Sequence, residues 1–228
     1  MLENVSVLLP YKPDGGRRDL NFKWIIRFYE AIMPEVEICT GISQDKLFNR
    51  SKAINLAAKK ATRDIFIIAD GDIIYDSSII IDSINKLEEY AIVFPFTKYL
   101  NISEEASKKL LKTRPKWPLN ISNNNIQIRT PYIEFAGKLN VVSRSTFKTI
   151  NGFDERFKGW GGEDDAFRCA IITLCGPDIR LDHSIYHLWH PHIGWDNNPR
   201  KTESKKLLKL YRKVQGNEEK MIELLQKK

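Results

Sequence analysis

The chain has 228 residues, 42% hydrophobic and 29% charged, the balance of one folded α/β domain with a helical appendage rather than of a disordered or fibrous chain. Lys and Arg exceed Asp and Glu by seven, and the three cysteines, Cys39, Cys169 and Cys175, lack metal-knuckle spacing and the even number of a disulfide framework, so a reducing cytosol is expected. The early apolar run Val5–Leu9 stops at Pro10 and is too short for a signal or a membrane span.

In chain order, short apolar runs alternate with helical patterns, as in stacked βα units. Val5–Leu9 reads as a buried strand. A loop follows at Lys12-Pro13-Asp14-Gly15-Gly16-Arg17-Arg18, then a helix through Trp24, Ile25, Phe28 and Ile32 up to Pro34. Val36–Cys39 is a second strand. Ser43 is placed to cap a helix whose apolar face is Leu47, Ile54, Ala57 or Ala58, and Ala61. Ile65-Phe66-Ile67-Ile68-Ala69 has the β-branched and aromatic character of a central parallel strand, and it ends in Asp70-Gly71-Asp72.

A helix over Ser77–Tyr90 leads to the strand Ala91–Phe96. Residues 97–132 read as irregular, with one short helical stretch and the run Asn123-Asn124-Asn125, a long loop of the kind that folds over a substrate. Leu139–Ser143 is a strand, Arg144–Ile150 a short helix and Gly152-Phe153-Asp154 a turn. A helix from Asp164 to Leu174 and a last strand, Ser184–Trp189, complete the catalytic portion, taken as residues 1–198 with halves dividing near residue 96. Residues 199–228 form a basic amphipathic tail, Lys201–Val214 and Glu218–Gln226, interrupted at Gly216. Residues 200–228 hold ten Lys and Arg against four Glu, so six of the seven excess charges lie there. The tail is a solvated face or a dock for a polyanion or an acidic membrane surface.

Two carboxylates one residue apart, just past a buried strand, face the crevice where open α/β sheets bind ligands. Hard oxygen ligands suit Mg²⁺ or Mn²⁺ bridging a carboxylate to substrate phosphates. Alone, Asp70-Gly71-Asp72 is close to a chance match in a chain with fourteen Asp, and Asp-Gly is also turn chemistry. Gly159-Trp160-Gly161-Gly162-Glu163-Asp164-Asp165 carries more: adjacent glycines admit close approach, Trp160 offers a face that stacks on a sugar ring, and three successive acids are costly unless solvated, capping a helix or serving chemistry.

The segment from Phe153 to Asp165, preceded by Phe147-Lys148-Thr149-Ile150-Asn151-Gly152, resembles the acceptor-site motif of β-1,4-galactosyltransferases, related GT-A enzymes and bacterial family-2 glycosyltransferases. Phe48-Asn49-Arg50-Ser51-Lys52 with Asn55 is similar to their donor-binding helix, Asp70-Gly71-Asp72 falls where their metal-binding pair lies, and Pro10-Tyr11 sits where their nucleotide loop begins. The resemblance covers about residues 5–192. It implies a GT-A fold, with a Rossmann-like, mostly parallel sheet flanked by helices, and Mn²⁺ or Mg²⁺ with a nucleotide-sugar donor, in all expectation a UDP-sugar.

By the same resemblance Asp72 is a direct metal ligand, Asp70 meets the ribose or metal-bound water, Arg50 contacts the donor and Asn49 shapes its site. Asp164 is the catalytic base; Trp160, Gly161, Gly162, Glu163 and Asp165 form the acceptor side. A further ligand comes from the last strand, His187 first and His190 second, with His183 and His192 unassigned. The sequence departs from the animal enzymes in its first loop, in its basic tail and in lacking an anchor and stem, features that suit a cytosolic bacterial or phage enzyme, peripheral to a membrane if the tail binds lipid.

The expected reaction is inverting transfer of a hexose or N-acetylhexosamine to an acceptor hydroxyl of a glycan or glycolipid. A transferase acting on modified DNA bases, whose DNA binding weakens steeply with salt, is one alternative. A sugar-nucleotide nucleotidyltransferase, or a glycan-binding module needing only Trp160, are the others.

Overall fold

A computed structural model describes residues 1–132, 134–191, 194 and 197–228. The elements in chain order are β1 (Val5–Tyr11), α1 (Arg17–Ile32), β2 (Glu37–Ile42), α2 (Arg50–Lys60), β3 (Ile65–Ala69), β4 (Ile73–Ile74), α3 (Ser78–Lys86), β5 (Ile92–Phe94) and β6 (Lys98–Ile102). They continue with α4 (Glu104–Leu110), β7 (Ile126–Arg129), β8 (Leu139–Ser143), α5 (Arg144–Thr149), α6 (Glu163–Leu174), β9 (Asp178–Arg180), β10 (Ser184–His187), α7 (Lys201–Val214) and α8 (Glu218–Leu225).

The main sheet has the order β2-β1-β3-β8-β5-β9. β1 lies parallel to β2 and β3, β8 runs antiparallel between β3 and β5, and β9 is parallel to β5, so the sheet is mixed with a parallel majority. Its central strands are apolar on both faces because helices or a second sheet cover both. Successive side chains alternate sides. Leu8, Phe66, Ile68 and Val142 pack with α2, α5 and α6, whereas Val7, Ile67 and Val141 pack with α1, α3 and the second sheet.

The second sheet, β4-β10-β6-β7, departs from the irregular reading of residues 97–132, which hold the antiparallel pair β6–β7, while the short helical stretch expected there is α4. β6 alternates weakly and is half-exposed, so its pairing comes from β7 and β10 rather than from an apolar run of its own. Leu47 and Ser43 precede α2 instead of belonging to its face and cap. Asn49 caps the helix through its side-chain oxygen, which accepts from Lys52 N (2.9 Å), while Ser43 Oγ accepts from Asn49 N (3.2 Å). The expected last strand stops at His187, two residues short.

Helix α2 sits so close to β2 that a Cβ on Gly41 would lie 1.7 Å from the Ala53 carbonyl oxygen, so only glycine permits the approach that sets Arg50 at the sheet's edge. The two C-terminal helices are amphipathic. Leu208 and Tyr211 of α7 and Met221, Leu224 and Leu225 of α8 are buried in the cluster shared with α6, and the Tyr211 hydroxyl donates to Asp154 (2.8 Å). No helix among the described residues is long and apolar enough to cross a membrane.

Candidate active site

The carboxyl end of β3 turns through Asp70-Gly71-Asp72 straight into β4, and the pairing of β4 with β10 fixes what Asp72 meets. Ile73 opposes His187, and Leu188 N donates to the Asp72 carbonyl (2.9 Å). This register brings His187 Nε2 within 3.5 Å of Asp72 Oδ1 and His190 Nε2 within 3.2 Å of Asp72 Oδ2. The same sheet pairs His187 with Asn101 of β6, whose side-chain oxygen lies 2.9 Å from His187 Nδ1. Burial pushes the His187 imidazole down to about 3, against the pull of the neighbouring Asp72 carboxylate. Burial also opposes ionisation of Asp72, but the two histidines and Lys138 outweigh it and hold the carboxyl below its ordinary range.

One oxygen of Asp72, Oδ1, is buried without a hydrogen-bond partner. The ligand atoms of Asp72, His187 and His190 all lie within 4.8 Å of one another. A buried unsatisfied carboxylate oxygen beside two imidazoles costs free energy unless a cation completes it. This donor set of oxygen and nitrogen fits Mn²⁺. With a cation in place, Asn101 would orient the His187 imidazole. His190 Nδ1 lies 3.1 Å from Arg18 and 2.9 Å from the Pro191 carbonyl. His183 is elsewhere, 3.1 Å from Asp82, and His192 lies outside the described residues.

Asp70 points to a different partner. Arg50, the first residue of α2, donates from Nε to Asp70 Oδ1 (2.9 Å) and from Nη1 to Asp164 Oδ1 (2.5 Å), with Glu163 Oε1 at 3.7 Å. Asp164 and Glu163 open α6, where the helix dipole favours their ionised forms. Burial nonetheless drives the Asp164 carboxyl well above its usual value. Arg50 pulls it down, and the neighbouring Glu163 and Asp70 charges push it up. Glu163 is likewise raised, by burial first. Asp164 Oδ2 faces Gly137, where a Cβ would stand only 3.1 Å away, so the missing side chain leaves room beside the carboxylate.

The turn before α6 is held by its backbone. Gly159, Gly161 and Gly162 have φ of 80°, 106° and 94°. A Cβ on Gly159 would also collide with Asn198 Oδ1 at 2.2 Å, and the Asn198 amide donates to the Lys158 and Trp160 carbonyls (3.2 and 2.8 Å). Gly159 N donates to the Phe48 carbonyl (3.0 Å), tying this turn to the loop before α2. Trp160 is 49% exposed. Asp165 turns from Asp164 towards the Tyr132 hydroxyl (3.1 Å) and Arg212 of α7 (3.3 Å). At the end of β1, the Tyr11 ring stacks on Phe22 (4.0 Å) and its hydroxyl donates to Asp19 (2.8 Å). Pro10 is buried in β1, and the Asn49 amide donates to the Glu155 carbonyl (2.9 Å).

Sequence reasoning missed Asn101, Arg18, Gly137, Asn198, Tyr132 and Arg212. Asn198 and Asn101 sit in stretches without any motif, and only strand register or loop closure brings them to the site.

The strand order and the carboxylate turn at the end of β3 belong to a mixed α/β fold of the GT-A type, which the solved structures named below share. Residues 118–191, which include the Trp160 turn and both site histidines, match a family model described as the N-terminal domain of galactosyltransferase. The chain is similar to human β-1,4-galactosyltransferase 4, 25% identical over 75% of this chain and 43% of the relative. Human β-1,4-galactosyltransferase 1 is 24% identical over 71% of this chain and 35% of the relative, so the chain spans about two fifths of the curated relatives it matches. Among solved structures, the catalytic domain of Drosophila β-1,4-galactosyltransferase 7, in complex with xylobiose, aligns over 90% of this chain and 79% of that one, with a TM-score of 0.51 and 20% identity. Staphylococcus aureus TarS 1–349, in complex with UDP-GlcNAc, aligns over 97% and 70% with a TM-score of 0.55 and 10% identity.

Proposed function

We propose that the protein is a metal-dependent, inverting glycosyltransferase that moves a hexose or N-acetylhexosamine from a UDP-sugar to a glycan hydroxyl. The observation that carries this reading is the paired arrangement of Asp72 with His187 and His190 on one side and Arg50 with Asp164 on the other. The relatives named for galactosyl transfer, and the UDP-GlcNAc complex of TarS, support a nucleotide-sugar donor.

Asp72, His187 and His190 would hold Mn²⁺, which supplies Lewis-acid stabilisation of the charge growing on the departing diphosphate. Asp70 and Arg50 line the donor side, and Arg50 is the cation able to exchange its contact with Asp164 for a phosphate oxygen. That exchange releases Asp164. Its carboxylate, raised by burial, then accepts the proton of the acceptor hydroxyl as that oxygen attacks the anomeric carbon from the opposite face. One displacement with one base inverts the anomeric configuration. Trp160, Gly161, Gly162 and Glu163 border the acceptor, with the exposed indole offered to a sugar ring. The three cysteines are free thiols, which supports a cytosolic setting.

The test is a screen of nucleotide-sugars for Mn²⁺-dependent hydrolysis and transfer. Mn²⁺-dependent loss of a UDP-sugar, with a β-linked product seen by NMR from an α-linked donor, is expected. Retained configuration, or pyrophosphate release from a nucleoside triphosphate and a sugar phosphate, rejects the reading.

A further inference from the structure

Six of the seven excess charges of the sequence lie in its last 29 residues, but a second cationic surface lies elsewhere on the fold. Helix α1 and the segment at the end of α4, some 80 residues apart in sequence, enclose a groove of about 470 Å³. Arg17, Lys23, Arg27, Lys108 and Lys112 line it, and no carboxylate does among the described residues. Lys108 is paired with Glu104 (2.6 Å), whereas Lys23, Arg27 and Lys112 have no carboxylate partner among the described residues. The α1 residues recur at helical spacing and span about 15 Å of one face. Lys109 is paired with Glu105 (2.7 Å), while Arg114 and Lys116 extend the cationic stretch beyond Lys112 with no intervening acid.

The groove is also apolar. Leu20, 53% exposed, stands between Arg17 and Lys23, and Leu111 and Trp24 form the floor. Trp24 Nε1 donates to the Thr113 carbonyl (3.1 Å), which locks α1 to the segment after α4. Cations around an exposed leucine match an acidic headgroup layer over acyl chain, because the charges meet phosphates while the apolar side chain leaves water. A nucleic acid would reward the charges but not Leu20.

We propose that the α1–α4 groove docks the protein onto an anionic phospholipid bilayer, with a lipid headgroup phosphate seated among Lys23, Arg27 and Lys112. Arg17 lies over the Trp189 ring at 5.8 Å and its neighbour Arg18 reaches His190, so the docking face adjoins the candidate metal cluster. Docking here sets the site beside the membrane surface, where amphiphilic acceptors concentrate.

The experiment is co-sedimentation of the full chain with phosphatidylglycerol vesicles and with phosphatidylcholine vesicles at 0.1 M salt. Binding is expected for the anionic vesicles alone. The triple variant K23Q/R27Q/K112Q, changed only at exposed positions, should bind them about a hundredfold more weakly. Leu20→Ser should weaken binding severalfold with every charge kept. The tail variant K206Q/K209Q/K213Q should retain most of the binding. Equal binding to both vesicle types, or loss through the tail variant with none through the groove variant, overturns the proposal. So does full competition by millimolar inorganic phosphate, which would make the groove a free-phosphate site, or tighter binding to duplex DNA in the same buffer.

Discussion

Replacing Arg50 with glutamine removes the cation that Asp70, Asp164 and Glu163 share among the described residues. The side chains of Arg50, Asp164 and Glu163 are 10%, 18% and 7% exposed, so little water enters to replace the guanidinium. Breaking a buried ion pair from one side costs about 3–5 kcal/mol. Asp70 is 30% exposed and recovers some hydration, which places the loss near the lower end, about 3 kcal/mol at pH 8. In a domain of this size that corresponds to a fall in Tm of about 6–12 °C.

The loss depends on pH, with a definite sign. Burial has already raised Asp164 and Glu163 above their unfolded values. Their contribution to stability is complete below the unfolded carboxylate pKa, about 4, and fades as pH rises through the folded pKa. Without Arg50 the folded values climb further, so the variant is penalised least at pH 5 and most at pH 8. Urea unfolding at both pH values measures this. A loss under about 1 kcal/mol at pH 8, or the same loss at both pH values, would refute the description of a buried, singly compensated acid cluster.

Asp164→Asn should keep donor binding while lowering kcat about 10²–10⁴-fold, and near-normal turnover would remove Asp164 as the base. His187→Ala should abolish thermal stabilisation by Mn²⁺, and Asn101→Ala should weaken Mn²⁺ affinity about 10–100-fold by freeing the imidazole; metal affinity unchanged in both variants contradicts the assigned donor set. Gly159→Ala combines a positive φ with a contact of 2.2 Å to Asn198, so a loss of about 2 kcal/mol or more is expected on urea unfolding. Wild-type stability in that variant would show that the turn relaxes freely.

Much of the framework was legible because local rules wrote it. The apolar runs of β1, β3 and β8 are long enough to identify a buried sheet, and the Gly159–Asp165 segment combines turn glycines with an acidic helix start. The weak points were equally local. β6 and β7 are short, half-exposed strands whose pattern resembles loop, and β4 has only two residues.

The sequence by itself determined the α/β class, the aspartate pair at a strand end, and the glycine–tryptophan–acid turn, because each is a pattern of neighbouring residues. The resemblance already divided the aspartate pair, and the tertiary structure supplied the partners of each member. Register between β4 and β10 sends Asp72 to the histidines, while the close seating of α2 on β2 gives Asp70 to Arg50, whose other partner, Asp164, lies 114 residues beyond that arginine. It also joined α1 to the end of α4 into one cationic groove. Periodicity reports which face of an element is buried, but which two faces meet is decided only when the whole chain packs.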